Sequence, residues 1–126
     1  MLNEKQDFPA GTLRFNLENR AAGDDGGPAI RVYGPTPEAQ SERQLLRFDC
    51  FRRDPHYHYD PDGRDEHLLL AGADAADPVS WSLTQLRENL PEMVRHAGGS
   101  DQAVTDSSSP SARAAITEIA VALGRA

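Results

Sequence analysis

The chain has 126 residues, 20 of them acidic and 13 basic, which leaves a formal charge of −7. That length suits one domain with a core of its own, and 38% hydrophobic with 26% charged residues is a globular composition, neither disordered nor membrane-embedded. No apolar run long enough for a transmembrane helix exists, MLNEKQDFPAG lacks the marks of a secretory signal, and the lone Cys50 excludes an internal disulfide, so a cytoplasmic protein is expected.

Residues 1–11 are polar and end in Pro-Ala-Gly, which reads as a flexible N-terminal arm ahead of a single domain over 12–126. From Thr12 to Glu18 apolar and polar residues alternate: Leu13, Phe15 and Leu17 point one way, Arg14, Asn16 and Glu18 the other, as in a half-buried strand. AAGDDGGP (21–28) reads as a loop, and Ile30 and Val32 mark a short second strand. Gly34-Pro35-Thr36-Pro37 breaks that strand, and the polar stretch to Gln44 reads as a loop or one helical turn. Leu45 to Arg53 is a third strand with Leu46, Phe48 and Cys50 on its apolar face. His56–Asp60 and Asp65–Leu70 are a fourth and fifth, joined by Pro61-Asp62-Gly63. Turns this short make antiparallel neighbours, so a meander of four to five strands spans 12–70.

Beyond AGADAAD (71–77) the period becomes helical. Trp81, Leu83, Leu86, Leu90 and Val94 form one stripe over about 79–97, kinked or divided at Pro91 and stopped at Gly98-Gly99. SDQAVTDSSS (100–109) reads as a mobile linker, and Ile116, Ile119, Ala120 and Leu123 define a last helix over about 111–123. A sheet with one apolar face must bury it, so the expected architecture is α+β, the meander covered on one face by C-terminal helices. Leu13, Phe15, Leu17, Ile30, Val32, Leu46, Phe48 and Cys50 are the expected core, with Trp81, Leu86, Leu90, Ile116 and Ile119 over it.

One segment is chemically dense. DPHYHYDPDGRDEHLLL (54–70) holds three of the four histidines among five acidic residues, and imidazole with carboxylate is the donor set of zinc, iron and manganese. His56 and His58 lie two apart on a strand, so both rings leave the same face. The third donor depends on hairpin register. A two-residue turn at Asp62-Gly63 sets His58 opposite His67 and gives three histidines on one face. A turn with Pro61 at its second position and Gly63 in a left-handed bulge sets His58 opposite Glu66 instead, a pair of histidines with one carboxylate. The fixed φ of Pro61 favours the second register, which sends His67 to the face of Tyr57 and Tyr59. Asp49, Asp60 and Asp65 are candidates to orient the rings, and a shared ion requires ring nitrogens within about 5 Å of each other.

Arg14, Arg31 and Arg47 share outward parity on three strands and, with Asp49, Tyr57 and Tyr59, define a candidate site for a small anionic ligand. The other arginines are scattered on an acidic chain, which argues against nucleic acid as a partner, and nothing points to a membrane. Cys50 shares the parity of Leu46 and Phe48 and reads as a small buried hydrophobe. No nucleophile or phosphate-loop motif is present. Three readings of function result. The leading one is a non-enzymatic accessory or self-associating domain without a cofactor, a homo-oligomer formed through an edge strand. The alternative is a divalent-metal protein or small metal-dependent enzyme using zinc, iron or manganese at His56 and His58, with Glu66 or His67. The third is the anion binder.

Overall fold

A strand with one apolar side must pair with others that share it before helices can cover it. The computed structural model, which describes residues 5–125, shows six such strands: β1 (Gln6–Ala10), β2 (Leu13–Ala22), β3 (Asp25–Thr36), β4 (Ala39–Asp49), β5 (His56–Tyr59) and β6 (Glu66–Leu69). They form one antiparallel sheet in chain order, an uninterrupted meander with β1 and β6 at its edges. Five helices follow: α1 (Gly72–Ala76), α2 (Pro78–Glu88), α3 (Leu90–His96), α4 (Asp101–Asp106) and α5 (Pro110–Ala122). The fold is α+β, with the helices packed on the apolar face of the meander. Among the described residues, no helix is long and apolar enough to cross a membrane.

The core is the expected one. Phe15, Leu17, Ile30, Val32 and Leu46 have no accessible surface, Leu13, Phe48 and Cys50 almost none, and Leu86, Leu90, Ile116 and Ile119 close over them. Trp81 stays half-buried at the rim, its ring 6.1 Å from Phe48 and 4.9 Å from Tyr57. The Cys50 thiol bonds Ser82 Oγ at 3.4 Å, and burial pushes its pKa up to about 11, so it is an inert part of this core.

Several loops expected from Gly and Pro are structured. The flexible arm is corrected from residue 6 onward: β1 pairs with β2, Phe8 opposite Phe15 and Ala10 opposite Leu13, which places Ala10 in the core. Residues 1–4 lie outside the described part. The loop expected over 21–28 is a tight turn around Gly23 (φ 62°), and Gly26-Gly27-Pro28 belong to β3. Those glycines serve close approach: a Cβ on Gly27 would lie 2.3 Å from the Cys50 carbonyl oxygen. β3 runs through Gly34-Pro35 to Thr36, and β4 begins at Ala39, where a loop to Gln44 is expected; register shifts along the β3–β4 ladder absorb the irregularity. β4 stops at Asp49, short of Arg53.

Beyond the sheet, AGADAAD contains the single-turn α1, and Asn89 separates α2 from α3 at the expected kink. The mobile linker over 100–109 is corrected too. Ser100 caps α4 by accepting from the Ala103 N–H, and Asp106 at the far end accepts from both Thr12 N and Thr12 Oγ at 2.7 Å. Polar composition there marks helix caps and a clamp on the β1–β2 turn.

Phe48→Ala is expected to lower the unfolding free energy by about 3–5 kcal/mol in denaturant melts, because the rings of Tyr57 and Trp81 cannot both collapse into the space left. A loss below about 1 kcal/mol would contradict the packing described.

Candidate metal centre

The outer face of the sheet carries a polar row that crosses all six strands in register: Asp7, Asn16, Arg31, Arg47, His58, His67. Asp49 and His56 pair in the next row. His58 faces His67, not Glu66, so the register favoured from Pro61 is corrected to the three-histidine alternative. The turn itself explains this. Pro61 does occupy the second position of a β-turn, closed by Gly63 N–H donating to Asp60 O at 3.0 Å. The chain then runs on, Asp65 N–H returning to the same carbonyl at 2.7 Å, and the left-handed residues are Asp60 and Asp65 (both φ 49°) with no role for Gly63. The Asp60 carboxylate stabilises the wide loop by accepting from Arg64 N and Arg43 Nε. One additional loop residue moves the partner of His58 by one position and so brings His67 to its side of the sheet.

Leu70 N–H donates to Pro55 O, so in the antiparallel alternation the 58/67 and 56/69 positions are the pairs without mutual backbone bonds, whose side chains stand closest. The three rings accordingly touch: His58 and His67 stack with centroids 4.5 Å apart, His56 and His67 stand 4.5 Å apart, and His56 meets His58 edge-on at 4.9 Å. One ligating nitrogen from each lies within 4.8 Å of the other two. Ligands of one tetrahedral ion, at roughly 2 Å from it, sit about 3.3 Å apart, so modest ring rotations close the set.

Each inner ring is oriented by its own partner. His58 Nδ1 lies 2.7 Å from Asp65 Oδ1, and His56 Nδ1 lies 2.7 Å from the Asp54 carbonyl, an acceptor only. Both Nδ1 atoms therefore donate, and both Nε2 atoms turn toward Asp49 Oδ2, at 2.9 Å from His56 and 3.5 Å from His58. The Asp49 side chain is 1% exposed, and its donors are Arg20 Nη1 and Arg47 Nε. Arg47 Nη2 stands 3.1 Å from His58 Nε2, and since a guanidinium only donates, that Nε2 is the acceptor and His58 is neutral. Burial is the largest cause holding the His58 pKa below its ordinary 6.5, opposed by the bond to Asp65. Phe51, from the segment that Gly27 admits, lies 5.5 Å from the His56 ring and closes that side.

A profile of the domain of unknown function DUF7700 matches residues 7–122. The chain belongs to this family. No curated protein and no solved structure matches it. The DUF7700 match spans every strand and helix that builds the centre apart from the first residue of β1.

The remaining candidate residues are dispersed. Glu66 projects to the helix side, where its Oε1 lies 2.6 Å from His96 Nε2. Tyr57 stacks on Phe48 and Tyr59 packs on His96, so both belong to the helix-side packing, and burial raises both phenols, Tyr59 to about 12. Arg14 is held by Asp7 and Glu42 over the Tyr33 ring, and Arg31 by Glu18 and Asn16, so Arg14, Arg31 and Arg47 lie on one face without converging on one point. Asp60 orients no histidine. Arg20 is the addition: it shares the parity of Arg14 and Glu18, which carrying the strand on to Ala22 makes visible.

Asp49→Asn is expected to cost about 2–3 kcal/mol of stability in the metal-free protein, since it removes the charge of a buried acceptor shared by two arginines. Glu66→Gln, at a half-exposed pair, should cost under about 1 kcal/mol in the same melts. His58 adds a pH dependence of defined sign. Its pKa is depressed by folding, so the stability it contributes is present above pH 6.5 and is lost as pH falls through the lower folded value.

Proposed function

We propose that this domain binds a divalent transition metal through His56, His58 and His67 with Asp49. The observation that carries this reading is the convergence of three imidazoles and one buried carboxylate, with the inner two rings already oriented by Asp65 and the Asp54 carbonyl. A neutral imidazole whose Nδ1–H is engaged presents Nε2 as a ligand, and that orientation is half of what a metal site needs. Three nitrogens and a carboxylate oxygen suit zinc, iron(II) or manganese(II).

Zinc or cobalt(II) at low micromolar concentration is expected to raise the melting temperature of the wild-type chain, and His67→Ala to abolish that rise while leaving the metal-free melt within about 1 kcal/mol, His67 being exposed. Protons compete for the same lone pairs, so metal affinity should fall as pH drops below about 6. A wild-type melt insensitive to both metals would refute the reading.

A second reading, self-association, is favoured by one observation: Leu69 is 67% exposed on β6, at the open edge of the sheet. On this reading sedimentation shows a dimer that Leu69→Lys converts to monomer.

A further inference from the structure

Arg47 stands between two of the donor atoms a metal requires. Its Nε donates to Asp49 Oδ2 at 3.0 Å, and its Nη2 to His58 Nε2 at 3.1 Å. It thus occupies, as a cation, the place where the metal cation of the proposed function would go. Charge within the centre is balanced without a metal: the carboxylates of Asp49 and Asp65 are matched by the guanidinium groups of Arg20 and Arg47. The other nearby carboxylate, Asp54, is solvent-facing, with an oxygen 3.9 Å from His56 Nδ1. A divalent ion would therefore add two positive charges to a centre that is mostly out of water, and would release Arg47 from both of its partners. A half-buried surplus of positive charge must be compensated.

Resting on the metal reading, we propose that the loaded centre is an oxyanion site: a phosphate or carboxylate oxygen takes a remaining coordination position of the metal, and the displaced Arg47 guanidinium holds the anion's other oxygens. The fork of N–H donors suits such a group in a way that a lysine ammonium does not. Arg31, directly across from Arg47 in the adjacent strand, adds positive potential on the same side although Glu18 holds it. Arg47 then has two opposed effects. It weakens metal binding by competing for Asp49 and His58, and it strengthens anion binding once the metal is in place.

The test uses the full chain titrated with cobalt(II), whose visible absorption reports coordination, followed by inorganic phosphate in one arm and acetate in another. Wild type should bind cobalt, and phosphate or acetate should then shift the cobalt spectrum; the anion with the tighter midpoint identifies the class. Arg47→Met should bind cobalt more tightly and the anion at least roughly tenfold more weakly, consistent with loss of a charge-assisted contact. Arg47→Lys should recover only part of the anion affinity. Cobalt binding with no spectral response to either anion, or anion binding unchanged in Arg47→Met, overturns this inference and leaves the metal reading standing. No cobalt binding by wild type or by Arg47→Met overturns the metal reading itself. Matching thermal melts of the metal-free variants separate these outcomes from misfolding.

Discussion

Phe48 is wedged between Tyr57 and Trp81 with almost no accessible surface, and its parity governs everything else on β4. If Phe48 faces the helices, Arg47 and Asp49 must face away, and the antiparallel partner β5 must place His56 and His58 beside them. A one-residue slip would bury two charges in the helix-packed core and expose Phe48 to water. Register is therefore held by the core, and the polar centre on the opposite face inherits its geometry from packing it does not touch.

That centre inverts the usual division of a two-layer sandwich. The uncovered face is not simply wet: Asn16, Asp49 and His58 are buried there beneath arginine stems and the segment following β4. Gly27 makes this possible by letting the Cys50–Phe51 backbone lie against β3, with Asp25 accepting from Arg53 N and Asp54 N to hold the far end. The same segment presents the Asp54 carbonyl to His56. Sheet, loop and histidine orientation are thus one construction, which explains why a Gly-Gly pair resembling a flexible loop lies within a strand.

The three imidazoles owe their contact to the wide Asp60–Asp65 turn. Two aspartates in left-handed geometry are a cost that an Asp side chain tolerates better than most, and here one carboxylate caps its own loop while the other orients His58. Asp65 thereby has two roles, one in the turn and one at the ring, and the turn cannot be shortened without separating His67 from His58.

Local alternation and helical periodicity sufficed for the α+β meander, the core residues from Leu13 to Ile119, the inertness of Cys50 and the shared face of His56 and His58, because each depends on neighbours in the chain. Asp65 was legible as an orienting carboxylate because it lies in the hairpin turn beside His58, whereas Asp49, expected in the same role, faces the Nε2 atoms instead and leaves the orienting of His56 to the Asp54 carbonyl. The strands at Gln6–Ala10 and across Gly34-Pro35, the helix at Asp101–Asp106 and the choice of His67 over Glu66 were not legible. Gly, Pro and Ser report local freedom, whereas these segments are ordered by distant partners: Phe15 and Leu13 for β1, Thr12 for Asp106, the Cys50 carbonyl for Gly27. The hairpin register turned on a single extra residue in a loop, a difference composition does not encode. Only the folded chain, closing that loop with Asp60, decided that three histidines meet.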